Sequence, residues 1–314
     1  MALALVFPGQ GSQALGMGKA LADAYPVAAA VFEEVDDALG QKLSELIWSG
    51  PEDQITLTTN AQPALMAVSI AALKALESRG FDLANQAGYL AGHSLGEYSA
   101  HCAAGTFSLA DTARLLRARG EAMQAAVPVG EGAMAAIIGL EAEDVTAICE
   151  EASAIGVCQI ANDNGGGQLV ISGAKPAVEK ASGLASDKGA RRAMLLPVSA
   201  PFHSRMMAPA AEVMAERLAE VEVNTPLVPI VANVTALPVT DPEQIVQRLV
   251  EQVTGQVRWR ESVSWMAENG VDAIAEVGSG KVLTGLNRRI SREIKGLALG
   301  SPDDMDAVLA AVQA

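Results

Sequence analysis

The chain has 314 residues, half of them hydrophobic and 19% charged, and a formal charge of −15. That is enough for one large or two ordinary domains with a sizeable core, and 29 glycines with 14 prolines exclude a collagen-like or low-complexity chain. So acidic a chain, with aromatics at only 4%, argues against nucleic-acid binding, which needs net Lys/Arg for phosphates or rings for stacking.

In chain order, Leu3 to Phe7 is a short apolar run that reads as a strand. Its opening residues carry no positive region and break at Pro8, so no signal peptide is expected. Pro8-Gly9-Gln10-Gly11-Ser12-Gln13 follows as a glycine-rich turn. Helical periodicity covers Val27 to Leu39 and Gln62 to Ser78, the second apolar enough to be buried. No uncharged run reaches the ~18 apolar residues of a membrane span, so a cytoplasmic protein without a membrane partner is expected.

A second strand, Gly88 to Gly92, ends in a tight turn and runs into an alanine-rich helix. Asp111-Thr112 marks the start of another helix reaching about Gln124. The breaker cluster Pro128-Val129-Gly130-Glu131-Gly132 then changes the rhythm. Ala133 to Leu140 reads as a strand, Asp144 to Ala154 as a helix, and Val157 to Ala161 and Gln168 to Ser172 as strands joined by a loop over Asn162 to Gly167. Pro176 to Ser186 reads as a helix and Arg192 to Val198 as a strand. This β-α-β-β-α-β order is the ferredoxin-like unit.

Strand and helix alternate again beyond it: Val228 to Asn233 as a strand, Pro242 to Val253 as a helix, Ala273 to Val277 as a strand, then Gly278-Ser279-Gly280 opening a helix. The fold class is α/β. A discontinuous, mainly parallel domain, residues 1–127 and 199–314, carries an inserted α+β module at 128–198. Cys102, Cys149 and Cys158 are an odd set without a CxxC, which suggests neither a disulfide framework nor a metal site.

Gly92-His93-Ser94-Leu95-Gly96 fits G-x-S-x-G, in which a strand turns sharply into a helix and exposes a serine hydroxyl. The helix N-terminus beyond it offers free N–H groups to an oxyanion. A serine needs a base, and the chain has three histidines. His93 adjoins Ser94 and points away, and His101 lies about 10 Å along the helix axis at ~1.5 Å per residue. His203 is left as the candidate base; its alternative is an ordinary surface-loop histidine. Arg119 shares a helix face with Leu115, Leu116, Ala122 and Met123, so it needs an anion partner: a structural salt bridge, or a substrate carboxylate held bidentately.

Gly9 to Ala14 fits a variant dinucleotide fingerprint but lacks the following strand and acidic residue. Gly278-Ser279-Gly280-Lys281-Val282 fails the P-loop pattern. Both read instead as tight turns at one end of the sheet, where α/β sites gather.

Taken together, Phe7-Pro8-Gly9-Gln10-Gly11-Ser12-Gln13, Gly92 to Tyr98, Arg119, Phe202-His203 and Glu276 to Gly285 resemble the malonyl-CoA:acyl carrier protein transacylases, over nearly the whole chain. The resemblance implies a hydrolase-like α/β domain with a ferredoxin-like insertion. It implies Ser94 as nucleophile, His203 as base and acid, and an oxyanion hole from the N–H groups of Gln10 and Leu95. Arg119 would hold the malonyl carboxylate, the Gln252 carbonyl would orient the histidine, and Asn162 would sit on a loop near the acyl pocket. The implied partners are malonyl-CoA and acyl carrier protein, for fatty-acid or polyketide extension, with no cofactor, no metal and a monomeric enzyme. Ser279 stands where that family often has Pro, and Phe202 matches a pattern of malonyl selectivity.

An acidic carrier protein would need a local basic patch. Lys188, Arg191 and Arg192 form one cluster, and Arg288, Arg289, Arg292 and Lys295, expected on a C-terminal helix, form another. A serine esterase or thioesterase shares the Ser94 turn but leaves Arg119 unexplained, and such hydrolases place their histidine nearer the C-terminus. Two further rivals are a dinucleotide-binding protein using Gly9 to Ala14 and an acyl-binding module without catalysis.

Overall fold

The computed structural model describes residues 2–198 and 200–313; the expected domain ends at Met1, Ser199 and Ala314 lie outside the described residues. The strands are β1 (Ala2–Phe7), β2 (Ala87–Gly92), β3 (Gly132–Ile138), β4 (Cys158–Asp163), β5 (Gln168–Ala174), β6 (Arg192–Leu195), β7 (Ile230–Val231), β8 (Pro238–Val239), β9 (Val271–Val277) and β10 (Lys295–Leu299). The larger sheet runs β10-β9-β1-β2-β7-β8. Every pairing in it is parallel except the short β7–β8 edge.

Strand β1 shows why its sequence is a continuous apolar run. It lies between β2 and β9, and both its faces are covered, as central parallel strands require. Leu3, Leu5 and Phe7 join a core with the helix Thr58–Ser78 on one face. Ala4 and Val6 join Trp259, Val263 and Leu286 on the other. Pro63 lies inside the Thr58–Ser78 helix, which starts a turn before the expected Gln62. Proline removes one backbone donor there, and burial along nearly the whole helix outweighs that loss.

The second sheet, β4-β5-β3-β6, is antiparallel throughout. With helices Ala142–Ala152 and Lys175–Asp187 packed on one face, it is the ferredoxin-like unit. Its other face carries Met134, Ala161 and Val170 against Phe202. Val257 N donates to Ala161 O and Asp163 N to Val257 O, which ties β4 to the larger body. We propose that the inserted module begins and ends at residues 128 and 198.

Several elements depart from the sequence reading. The helix expected from Asp111 is Leu109–Ala125, because Ser108 caps it by accepting from Asp111 N at 3.0 Å. The strands expected at Val228–Asn233 and Arg192–Val198 shorten to β7 and β6. Helices Ala208–Ala219, Trp259–Glu268 and Met305–Gln313 and strand β10 have no counterpart in that reading. The basic cluster is therefore split. Arg288 and Arg289 end the helix Val282–Ile290, Arg292 follows it, and Lys295 opens β10.

Both glycine clusters are turns at the carboxyl end of the sheet, after β1 and β9. A Cβ at Gly278 would lie 2.3 Å from Ser69 Oγ, and Ser279 Oγ donates to Ser12 O at 2.6 Å, linking the two turns. No dinucleotide βαβ unit forms, since β2 begins only at Ala87. Just before the second turn, buried Glu276 accepts from Leu283 N, Thr284 N and Thr284 Oγ1 at 2.7–3.0 Å. It satisfies the orphan donors of the next helix from within the sheet. Glu276→Ala should cost about 2–3 kcal/mol in urea unfolding, because two buried N–H groups lose their acceptor; an unchanged midpoint would contradict this.

Candidate active site

The serine corner is built by close packing. A Cβ at Gly92 would lie 1.9 Å from Gly96 backbone atoms, and one at Gly96 would lie 2.2 Å from Phe7 O. Only glycine fits either position, and Ser94 between them takes φ 55° and ψ −113°. That conformation is strained for a residue with a side chain. Buried Asn233, just beyond β7, holds it: Oδ1 accepts from Ser94 N at 2.8 Å and Nδ2 donates to Gly92 O at 2.6 Å.

His203 also sits at positive φ, 56°, and is buried rather than on a surface loop. Its Nε2 lies 2.7 Å from Ser94 Oγ. Its Nδ1 faces the carbonyls of Gln252 at 2.9 Å and Gly255 at 3.1 Å. Both neighbours of Nδ1 can only accept, so Nδ1 carries the proton and Nε2 accepts from the serine hydroxyl. Burial, then the nearby Arg119 charge, pushes His203 down to about 3. It therefore stands neutral, with the Nε2 lone pair on the serine hydroxyl. The other histidines are elsewhere: His93 Nε2 lies 2.9 Å from Asn164 Oδ1, and His101 is buried beside Thr106.

Arg119 is buried, with only 1% of its surface exposed. Nη1 donates to Gln62 Oε1 at 2.7 Å, and Nη2 to Gln252 Oε1 at 2.8 Å and Ser94 Oγ at 3.2 Å. The guanidinium lies 5.5 Å from the Tyr98 ring centroid. Its hydrogen-bond acceptors are thus two amide oxygens and a hydroxyl, so the structural salt bridge is not made among the described residues. A cation this buried, facing neutral oxygens beside a serine, is equipped to receive an anion.

The register Phe7↔Gly92 sets the turn after β1 beside the serine corner. Gln10 lies on that turn, its Oε1 accepting from Thr58 Oγ1 at 2.9 Å. Leu95 is the first residue of the helix Leu95–Ala103, where an N–H has no intrahelical acceptor. Asn162 needs correction. It belongs to β4 rather than to the loop, because the strand continues past a register shift to bridge Val257. The loop residue that touches the corner is Asn164, through His93.

Sequence reasoning missed Asn233, Gln62 and the side chain of Gln252. The signal for Asn233 was a polar residue in an apolar stretch just past a strand, and for Gln62 a polar residue at the start of a buried helix. Among the described residues, no group of three or more His, Cys, Asp or Glu could hold a metal ion. Nor is any described helix long and apolar enough to cross a membrane.

Residues 4–298 match the acyl transferase domain family. The malonyl CoA-acyl carrier protein transacylase of Bacillus subtilis (strain 168) is 44% identical over 308 residues, covering 98% of this chain and 96% of the relative. The acyl-carrier-protein-S-malonyltransferase structure from Bartonella henselae is 59% identical, with a TM-score of 0.98 over 100% of both chains. A malonyl-transacylase solved in complex with its type II PKS acyl-carrier protein is 40% identical, with a TM-score of 0.96 over 99% of this chain and 100% of that one.

The depressed His203 gives a pH test that needs no substrate. Phosphonylation of Ser94 by a fluorophosphonate probe should keep its rate from pH 8 down to about 5, because Nε2 stays unprotonated until pH nears about 3. Half the rate lost near pH 6.5 would mean an ordinary, solvated imidazole.

Proposed function

Given that the chain belongs to the acyl transferase family, among the malonyl-CoA:acyl carrier protein transacylases, we propose that it moves a malonyl group from malonyl-CoA to the phosphopantetheine thiol of acyl carrier protein. The observation that carries this reading is a buried guanidinium and a neutral imidazole on one hydroxyl: Arg119 Nη2 at 3.2 Å and His203 Nε2 at 2.7 Å from Ser94 Oγ.

In the first half-reaction Ser94 Oγ attacks the thioester carbonyl while His203 Nε2 takes its proton. The oxyanion of the tetrahedral intermediate is met by the N–H groups of Gln10 and Leu95, each worth on the order of 3 kcal/mol. His203 returns the proton to the departing CoA sulfur, leaving a malonyl-serine ester. In the second half-reaction His203 takes the proton of the carrier thiol, the thiolate attacks the ester, and Ser94 regains the proton as it leaves. The proton is only lent, so the cycle closes with no cofactor. Gln252 and Gly255 carbonyls stabilise the transient imidazolium without a fixed anion.

Arg119 selects the acyl group. Its oxygen partners are neutral, so a malonyl carboxylate gains a charge-assisted fork that an acetyl group cannot use. Phe202, packed between the two bodies, would disfavour a branched α-carbon. The acidic chain docks an acidic carrier through Arg288 and Arg289. Arg289 Nη1 donates to Gln168 Oε1 at 2.9 Å, and a Cβ at Gly166 would lie 3.1 Å from the Arg289 side chain. That basic end therefore adjoins the loop bearing Asn164 and, through it, the serine corner. Lys188, by contrast, already pairs with Asp144 at 3.1 Å. We assign the enzyme to the cytoplasm.

Arg119→Ala should lower malonyl loading from malonyl-CoA by about 10- to 100-fold, the worth of a charged hydrogen-bonded pair, and spare or improve acetyl loading. An equal fall in both would remove Arg119 from acyl selection. Reversing Arg288 and Arg289 to Glu should raise the KM for carrier protein and leave acylation by malonyl-CoA unchanged. Unaltered rates in both half-reactions would move the dock elsewhere.

A further inference from the structure

Gln252 is fully buried, and its side-chain amide links Ser94, Glu97, Asn233 and Arg119. Nε2 donates to Ser94 O at 2.9 Å and to Glu97 Oε2 at 2.6 Å, with Asn233 Oδ1 at 3.4 Å. Oε1 accepts from Arg119 Nη2 at 2.8 Å. A primary amide can be turned over about its last bond at little steric cost, exchanging N and O. Turned over here, its NH2 would face the guanidinium and its oxygen would face the Ser94 carbonyl and a carboxyl oxygen. The shortest contact opposing that turn is the one to Glu97.

Glu97 is itself fixed at the serine corner. It lies on the third residue of the helix Leu95–Ala103, its N–H donates to Ser94 O at 3.0 Å, and its Oε2 also accepts from Asn233 N at 3.2 Å. Among the described residues its second oxygen, Oε1, is buried without a hydrogen-bond partner. Burying a carboxyl group that is only half used is costly, and such departures from local economy gather at functional sites. Burial raises this group to about 7, against the opposing pull of Gln252, Asn233 and Arg119.

We propose that Glu97 is a positioning residue for acyl selectivity: its carboxyl oxygen fixes the Gln252 amide so that Oε1 holds Arg119 Nη2 beside Ser94. The inference rests on Arg119 as the carboxylate-binding group. It makes Glu97 act on malonyl recognition while touching neither substrate nor reacting atom. The requirement is for an acceptor at the Oε2 position, not for negative charge. Glutamine can meet it, with its oxygen on Gln252 Nε2 and its amide nitrogen at the site of Oε1.

The test compares Glu97→Leu and Glu97→Gln with the unaltered enzyme, measuring initial loading of Ser94 from malonyl-CoA and from acetyl-CoA by intact mass. Glu97→Leu should lower malonyl kcat/KM about 10-fold more than acetyl kcat/KM, mainly through KM. Glu97→Gln should keep the malonyl preference. A merely structural role would depress both acyl groups together, so an unchanged malonyl-to-acetyl ratio in Glu97→Leu overturns the proposal. A lost preference in Glu97→Gln overturns it too, because charge would then be the requirement. Glu97→Gln decides alone should Glu97→Leu fail to fold. Failure of the unaltered enzyme to take malonyl at Ser94 would instead bring down the transfer reading.

Discussion

A serine held at φ 55° and ψ −113° is the constraint on which the site depends. No local sequence preference favours that conformation; it survives because the fold leaves no other option. Gly92 and Gly96 let strand, corner and helix touch at distances no Cβ would permit. Asn233 then closes the corner with two hydrogen bonds from just beyond a strand, nearly 140 residues along the chain. With the corner fixed, the serine hydroxyl stands at the carboxyl edge of the parallel sheet. The Gln10 turn and the first amide of the following helix stand beside it.

The electrostatics follow from what His203 lacks. Its Nδ1 is held by two carbonyls rather than by a carboxylate. A buried carboxylate at that position would lie close enough to compete for Arg119, and the pair would neutralise each other. With dipoles in its place, the imidazole is oriented and kept neutral, and the guanidinium hydrogen-bonds only to oxygens that carry no formal charge, the Glu97 carboxyl acting on it through space. The proposed carboxylate-binding guanidinium and the proposed proton acceptor thus share one small volume around Ser94 Oγ without cancelling. Gln252 is the economical part of this arrangement, since its backbone holds the imidazole and its side chain holds the cation.

Much of this was legible in the sequence. The continuous apolar run of Leu3 to Phe7 and the glycine spacing around Ser94 are local signals of strand and corner. The β-α-β-β-α-β rhythm after Pro128 is a signal over some 70 residues. Arg119 was legible because a helix face shows a misplaced charge directly. What could not be read was settled by distance. Asn233 and the Gln252 side chain matter through contacts made across the whole chain. The strand at Asn162 continues only because Val257 pairs with it. Short helices such as Trp259–Glu268 have too few turns for a periodic signal, and packing on the sheet rather than propensity forms them.

The central claim is a covalent acyl-serine that only a carrier thiol discharges quickly. Intact-protein mass after brief mixing with malonyl-CoA, in the unaltered enzyme and in Ser94→Ala, followed by a chase with holo acyl carrier protein, tests it directly. The account predicts one malonyl increment, absent from Ser94→Ala and passed to the carrier within the chase. An increment lost to water at the same rate with or without carrier would contradict it and make the chain a hydrolase.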